Sequence, residues 1–285
     1  MTAQILDGRG LSQKIKEDLK EEVAELKKLY DNIPSMINIM VGDYHCACAY
    51  ANAQKKTAEY IGVKYSLVHF PEDAKQKDIL DYINKINNDS KIHGIILHKP
   101  VPKHINYRFI ADHIAPEKDL EGINISNIGK LILDKQSIIP CTPASVMEHI
   151  KLSGIDIRGK EAVVIGHSEI VGKPLSLLLL RGMATVTVCH IATSEAGRLV
   201  SHINRADILV SAVGKPLLIK GEWIKEGAIV IDVGINRVKD KIVGDIEFES
   251  ASKRAAYITP VPGGVGPVTV VMLMRNLINA FKEQK

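Results

Sequence analysis

Short runs dense in β-branched residues alternate along this chain with longer segments of helical periodicity, and that alternation constrains the fold more than any other feature. Ser35 to Val41 (SMINIMV), Val63 to Phe70 and His93 to His98 (HGIILH) read as strands. Leu11 to Leu29, Ala47 to Ile61 and Lys75 to Asn88 carry apolar residues at three- and four-residue spacing and read as amphipathic helices, the second closed by Gly62. The pattern resumes with strands at Lys160 to Ile165, Thr185 to Cys189, Ala206 to Ser211 and Ala228 to Val233, and helices at Pro174 to Arg181 and Val268 to Lys285. Strands apolar at nearly every position are buried on both faces, and helices returning between them predict parallel sheets in an α/β fold. Polar, turn-rich sequence from Ala115 to Thr142 separates the two runs. The expected organisation is therefore two domains: residues 1–142 together with a terminal helix, 269–285, and residues 143–268.

Composition narrows the function classes. With 46% hydrophobic and 25% charged residues in 285, each half can bury a core, which excludes disordered and fibrous chains. Lys plus Arg number 37 against 33 Asp plus Glu, an excess too small and dispersed to argue for nucleic acid. No stretch reaches the ~18 uninterrupted apolar residues of a membrane span, and the first residues lack a basic segment followed by an apolar one, so a cytoplasmic protein without membrane contact is expected. Cys46, Cys48, Cys141 and Cys189 are not spaced as a disulfide framework. His45, Cys46, Cys48 and His98 could offer thiolates and imidazoles to a soft metal. Cys-x-Cys is, however, unusual for structural zinc and small cysteines are common at helix starts, so no metal is expected.

Three loops carry the chemistry of the second half. The strand EAVVIG runs into Gly166-His-Ser-Glu-Ile-Val-Gly172-Lys173 before a helix. Such a turn admits a close backbone and presents helix amides to a pyrophosphate, although the spacing is not GxGxxG. Ser211-Ala-Val-Gly214-Lys-Pro216 and Asp232-Val-Gly-Ile-Asn236 stand at further strand ends, on the edge where such sheets bind ligands. Three glycine-bearing loops on one edge favour a dinucleotide.

PEKDLEGIN (116–124), PCTP (140–143), VVIGHSEIVGKP (163–174), TVTVCH (185–190), ADILVSAVGKP (206–216), VIDVGIN (230–236) and ITPVPGGVGPVTV (258–270) resemble the FolD family. These are bifunctional methylenetetrahydrofolate dehydrogenase/methenyltetrahydrofolate cyclohydrolases, and the resemblance spans essentially the whole chain. It implies an N-terminal αβα domain and a Rossmann-type domain with a cleft between them, a homodimer, tetrahydrofolate as substrate and NADP or NAD as cofactor. The dinucleotide would be held by Gly166, His167, Ser168, Ile170, Val171, Gly172 and Lys173, by His190 and Ile191, by Ala212, Val213 and Gly214, and by Gly234, Ile235 and Asn236. Tyr50, Glu121, Pro262, Gly263 and Gly264 would meet the folate.

The catalytic positions implied by the resemblance are Tyr50, Gln54, His98 and Glu121, and three of them depart from the family pattern. Gln54 stands where the family has a catalytic Lys four residues after Tyr50; GIILHKPVP puts His98 at a Gln; DLEG puts Glu121 at the pterin-binding Asp. A Gln amide is neither acid nor base near neutral pH. Imidazole, with an ordinary pKa of about 6.5, suits proton transfer, although His98 could equally cap a strand end. Glu121 keeps a carboxylate on a longer arm. His167 and Ile191 replace the Arg and Ser with which family members reach a 2′-phosphate, leaving NAD or NADP open. These substitutions lead us to expect a dehydrogenase with weak or lost cyclohydrolase activity. They are also compatible with a folate- or nucleotide-binding protein without catalysis, and with the same scaffold acting on another one-carbon or pterin substrate.

Overall fold

A computed structural model of the chain describes residues 2–136 and 138–285, the Cys46 side chain apart. The chain forms two compact units, one of Met1–Ser12 with Thr142–Thr269 and the other of Gln13–Cys141 with Val270–Lys285. In chain order the elements of the first half are β1 (Gln4–Ile5), α1 (Gly8–Tyr30), β2 (Ser35–Val41), α2 (His45–Ile61), β3 (Lys64–Phe70), α3 (Gln76–Asn87), β4 (Gly94–Leu97), α4 (Tyr107–Ala111), α5 (Ile125–Ile132) and α6 (Cys141–Leu152). Those of the second half are β5 (Glu161–Ile165), α7 (Gly172–Arg181), β6 (Thr185–Cys189), β7 (Ile208–Ser211), β8 (Ile229–Asp232), β9 (Asn236–Val238), β10 (Lys241–Val243), β11 (Tyr257–Ile258) and α8 (Val265–Glu283).

The smaller sheet has the order β3-β2-β4, all parallel, with Ile39 beside Val68 on one side and Leu97 on the other. Every residue of β2 is buried, and its alternation sorts them by face. Ile37, Ile39 and Val41 pack with Ile79, Ile83 and Ile86 of α3 and with Ile95 and Leu97 of β4. Met36, Asn38 and Met40 occupy the opposite face, where Cys48 Sγ of α2 approaches Met40 Sδ at 3.9 Å. Asn38 is the single amide on a strand whose other residues, Ser35 apart, are apolar.

The larger sheet has the order β1-β11-β8-β7-β5-β6, and each pair is parallel. Val163, Ile165, Leu209 and Val230 feed one core; Ala162, Val164, Ile208, Val210, Ile229 and Ile231 feed the other. Two cores drawn from alternate residues of the same strands are the mark of a doubly wound sheet. After β5 the chain passes to β6 on one side and then to β7 on the other, so a topological switch point lies between β5 and β7, where such sheets open a ligand crevice.

Residues 1–12, expected with the N-terminal domain, belong instead to the six-stranded unit. Ala3 N donates to Ser252 O at 2.7 Å and Leu6 N to Ile258 O at 2.8 Å, which adds β1 as an edge strand. Two residues are too few to show periodicity. The stretch from 115 to 142, expected as turns, contains α5, and a small antiparallel hairpin, β9-β10, follows the Asn236 loop.

Candidate functional site

Tyr50 and Gln54 lie one turn apart on α2 and so share a face. Gln54 is fully buried, and Asn38 Nδ2 of β2 donates to its Oε1. The same Nδ2 stands 3.0 Å from Tyr65 Oη and 3.1 Å from His98 Nε2. Asn38 Oδ1 is buried without a hydrogen-bond partner among the described residues. His98 directly follows β4, is 3% exposed, and packs edge-on against the Tyr50 ring with centroids 5.9 Å apart. Burial pushes its imidazole down to about 4, so at neutral pH it is uncharged. The imidazole therefore differs from an ordinary one, which would be half-charged near pH 6.5. Both of the open readings placed it at a strand end, and there it faces the Asn38 amide.

Glu121 follows the buried Asp119 and is half-buried, with Tyr107 Oη donating to its Oε2 at 3.0 Å. Burial first, then the Asp119 charge, push its carboxyl up to about 7, against the Tyr107 hydrogen bond and Lys99. Burial, with Cys141 and Glu121 nearby, also raises the Tyr50 hydroxyl above its ordinary value. Tyr50, Gln54, His98 and Glu121 therefore form one cluster in the three-stranded unit, as uncharged amide, imidazole and phenol groups around one titratable carboxyl. Cys141 Sγ donates to Leu120 O at 3.3 Å, and burial holds its thiol well up. Among the described residues no three His, Cys, Asp or Glu side chains converge as metal ligands, and the Cys46 side chain lies outside them.

In the six-stranded unit the glycine loops meet at the switch point. A Cβ at Gly166, φ +115°, would stand 2.4 Å from the Ala212 carbonyl oxygen, and one at Gly172 would stand 2.0 Å from the Gly166 carbonyl oxygen. Only bare backbone fits there, which brings the start of α7 against the end of β5. Ser168 shapes the intervening turn, its Oγ accepting from Val171 N at 3.1 Å and its carbonyl from Lys173 N at 3.0 Å. Ile170 is half-buried in that turn. His167 and His190, both exposed, face each other with ring centroids 5.3 Å apart, and Ile191 beside them is 69% exposed.

Two buried carboxylates hold the remaining loops. Asp245 Oδ2 accepts from Val213 N at 2.8 Å, Gly214 N at 3.2 Å and Ser211 Oγ at 3.1 Å. Its Oδ1 accepts from Lys215 N at 3.0 Å and Asn236 Nδ2 at 2.9 Å. Asp232 accepts from Gly234 N at 2.9 Å, Asp245 N at 3.0 Å and Ile246 N at 2.9 Å. Burial raises Asp232 to about 7. Pro262, Gly263, Gly264, Gly234 and Ile235 line a cavity of about 220 Å³ to which Arg9 contributes. Pro262, Gly263 and Gly264 thus belong to a different unit from Tyr50 and Glu121.

Sequence reasoning missed Asn38, Tyr107, Asp245 and Arg9. Asn38 left a signal, one amide within an apolar strand; Asp245 left none, because its five donors come from separate loops.

Residues 6–121 match the tetrahydrofolate dehydrogenase/cyclohydrolase catalytic domain, and residues 140–285 match the NAD(P)-binding domain of the same family. The chain is 50% identical over 285 residues to the bifunctional protein FolD of Acetivibrio thermocellus, covering 100% of this chain and 99% of that one. It is 48% identical over 283 residues to that of Nitratiruptor sp., covering 99% of each. The crystal structure of the bifunctional enzyme FolD from Campylobacter jejuni superposes with a TM-score of 0.95 at 42% identity, covering 99% of this chain and 100% of that one. A Trypanosoma brucei FolD structure, complexed with NADP cofactor and inhibitor, gives 0.95 at 39% identity over 99% of this chain and 98% of that one. A two-domain α/β chain whose glycine loops, buried carboxylates and Tyr50 cluster coincide with both matched domains belongs to the tetrahydrofolate dehydrogenase/cyclohydrolase family and carries its NAD(P)-binding domain.

Proposed function

We propose that this chain oxidises 5,10-methylenetetrahydrofolate to the methenyl form with NAD(P), and that hydrolysis of the methenyl bridge is its weaker activity. The observation that carries this reading is Gln54, fully buried and bound to Asn38 where the family motif has lysine. Hydrolysis needs a proton moved at water attacking the methenyl carbon, and an amide exchanges none near neutral pH; losing a positioned acid or base costs about 10²- to 10⁴-fold. Burial holds the His98 imidazole down at about 4, which makes it a weak base for that proton.

Hydride transfer needs alignment more than proton exchange. The loops at Gly166, Ala212 to Gly214 and Gly234 to Asn236, with Ser168, Val171 and Lys173, would hold the dinucleotide, and the close approach at Gly166 and Gly172 fits a phosphate against backbone amides. Bound there, the cofactor supplies the hydride acceptor. Tyr50 would stack on the folate, and Glu121 would accept its pterin N–H groups. His167 and Ile191 leave the 2′-phosphate without a guanidinium, so NADP preference is weak or reversed. The same reading makes the protein a cytoplasmic homodimer, which sedimentation would check; no helix among the described residues is long and apolar enough to cross a membrane. Both reactions measured on one preparation, with NAD and with NADP, test the function. Dehydrogenation well above hydrolysis is expected; equal turnover would overturn the reading.

A further inference from the structure

The cavity that Arg9 adjoins has apolar walls and one cation on its rim. Its lining runs from Asp232 to Ile235 after β8, through Ile242 of β10, to the loop from Pro260 to Pro267, all within the six-stranded unit. Ile235 and Ile242 are both exposed, so two large apolar side chains stand open along it. Bare backbone at Gly263, φ +108°, lets the Arg9 side chain lie over the loop: a Cβ there would come 3.3 Å from Arg9 Nε. Arg9 is exposed, and its guanidinium makes no ion pair or hydrogen bond among the described residues. The carboxylates beside it in the chain and in the cavity are engaged elsewhere. Asp7 accepts from Arg9 N and Gly10 N, each at 3.0 Å, and Asp232 accepts from the backbone of Gly234, Asp245 and Ile246.

Sheet order says what reaches this cavity. A pyrophosphate at the turn from Gly166 to Gly172 leaves one half of a dinucleotide on each side of the switch point. In such sheets the adenosine ribose is read at the end of the strand that follows the phosphate loop, which is β6, so the other half crosses β7 toward β8 and β11. The nicotinamide end of the molecule is thereby directed to the cavity beside Arg9. Oxidised nicotinamide is a cation and reduced nicotinamide is neutral, while the rest of the dinucleotide is the same in both. A guanidinium with no carboxylate partner repels the first and not the second. We propose that Arg9 sets the redox preference of this cavity, weakening its hold on the oxidised ring and sparing its hold on the reduced one. This rests on the placement of the dinucleotide proposed above. A cofactor held more loosely as a cation than as a neutral ring favours the direction in which the ring loses its charge, which is the direction of dehydrogenation.

The test is a binding measurement without turnover. Calorimetry gives the affinities of the oxidised and reduced forms of whichever cofactor, NAD or NADP, binds tighter, and of the matching ADP-ribose, which has the phosphates but no nicotinamide. Arg9→Gln is expected to tighten the oxidised form relative to the reduced form by roughly threefold to tenfold, the range for a single exposed charge at close quarters. ADP-ribose should bind as before. Arg9→Lys keeps the charge and should keep the ratio of the unmodified chain. The side chain is exposed and bonds to nothing among the described residues, so the variants should melt with the unmodified chain; Arg9→Met supplies a second uncharged side chain if Arg9→Gln does not fold. An unmoved ratio in the uncharged variants overturns the role of Arg9, and so does a ratio in Arg9→Lys that matches theirs. Equal weakening of all three ligands overturns it as well, by setting the guanidinium on the phosphates. Each of these results leaves the dinucleotide in place, whereas no binding of any of the three would overturn that placement and the role of Arg9 with it.

Discussion

Asn38 in the middle of β2 donates a side-chain N–H to Gln54 on α2, and so ties the residue that replaces a family lysine into the buried face of the sheet. The bond leaves Asn38 Oδ1 and Gln54 Nε2 buried without partners among the described residues. A lysine at 54 would lose that N–H unless the Asn38 amide turned its Oδ1 to the ammonium, and either way a charge would enter a fully buried position.

Gln54→Lys is therefore expected to have two opposite effects. Hydrolysis should rise by about 10-fold or more, since an ammonium whose pKa is lowered by burial can exchange a proton. Stability should fall by about 1–3 kcal/mol for the buried charge. Asn38→Asp in the same background supplies an opposite charge and should recover part of that loss. Hydrolysis assays and thermal melts on the single and double variants read both effects, and a single variant with neither change would refute the buried-charge argument.

Asp245→Asn should cost more than its small chemical change implies. Each carboxylate oxygen accepts from at least two donors, so whichever way an amide is turned, its NH₂ faces N–H groups. At least two donors then lack a partner, worth about 2–4 kcal/mol. The loosened groups are Val213 and Gly214 in one orientation and Lys215 and Asn236 in the other, so dinucleotide affinity is expected to drop at least about tenfold while folate affinity holds. Calorimetry with each ligand separately decides; equal losses for both would show general unfolding instead.

How far the sequence discloses this follows from what each residue contacts. The strands from Ser35 to Cys189 are legible because their apolar alternation is local, and the glycine loops because a missing side chain leaves its own mark. Gly234 is an example in which the reason is remote: a Cβ there would meet Asp245 Oδ1 at 2.1 Å. The Glu121 position is legible from its motif, but its partner Tyr107 lies on a five-residue helix too short for periodicity. The protonation of His98 is not legible, because the ordinary imidazole pKa describes a solvated ring and nothing in GIILHKPVP states that the ring is 3% exposed.

Stability toward acid tests that last point. His98 and His93 are both pushed down to about 4, chiefly by burial. A histidine that titrates lower in the folded chain than in the unfolded one leaves the unfolded state holding more protons between pH 4 and about 6.5. Its contribution is then intact above pH 6.5 and is lost as pH falls toward 4. Glu121, raised to about 7, works the other way across the same range, so the comparison must isolate the imidazole. The stability of the unmodified chain relative to His98→Gln, from urea unfolding, should decline between pH 6.5 and 4. A constant difference would mean that the ring is protonated in the folded state.

Cofactor choice turns on the exposed edge beside β6. His167 and His190 stand ring to ring at 5.3 Å, and Ile191 next to them projects into solvent, 69% exposed, with no hydrogen-bonding group. A 2′-phosphate there would find imidazoles but no guanidinium fork, the geometry that grips phosphate through two parallel hydrogen bonds. NADP is therefore expected to bind no more than modestly tighter than NAD. Ile191→Arg removes an exposed apolar side chain and adds charge-assisted donors, worth about 1.5–3 kcal/mol each, which corresponds to a gain of roughly 10- to 100-fold in NADP over NAD. Because Ile191 packs against nothing that the fold needs, stability should be unchanged, and the ratio of kcat/KM for the two cofactors reads the effect alone. A strong NADP preference in the unmodified chain, or no change in the ratio on Ile191→Arg, would place the 2′-phosphate elsewhere on the sheet edge.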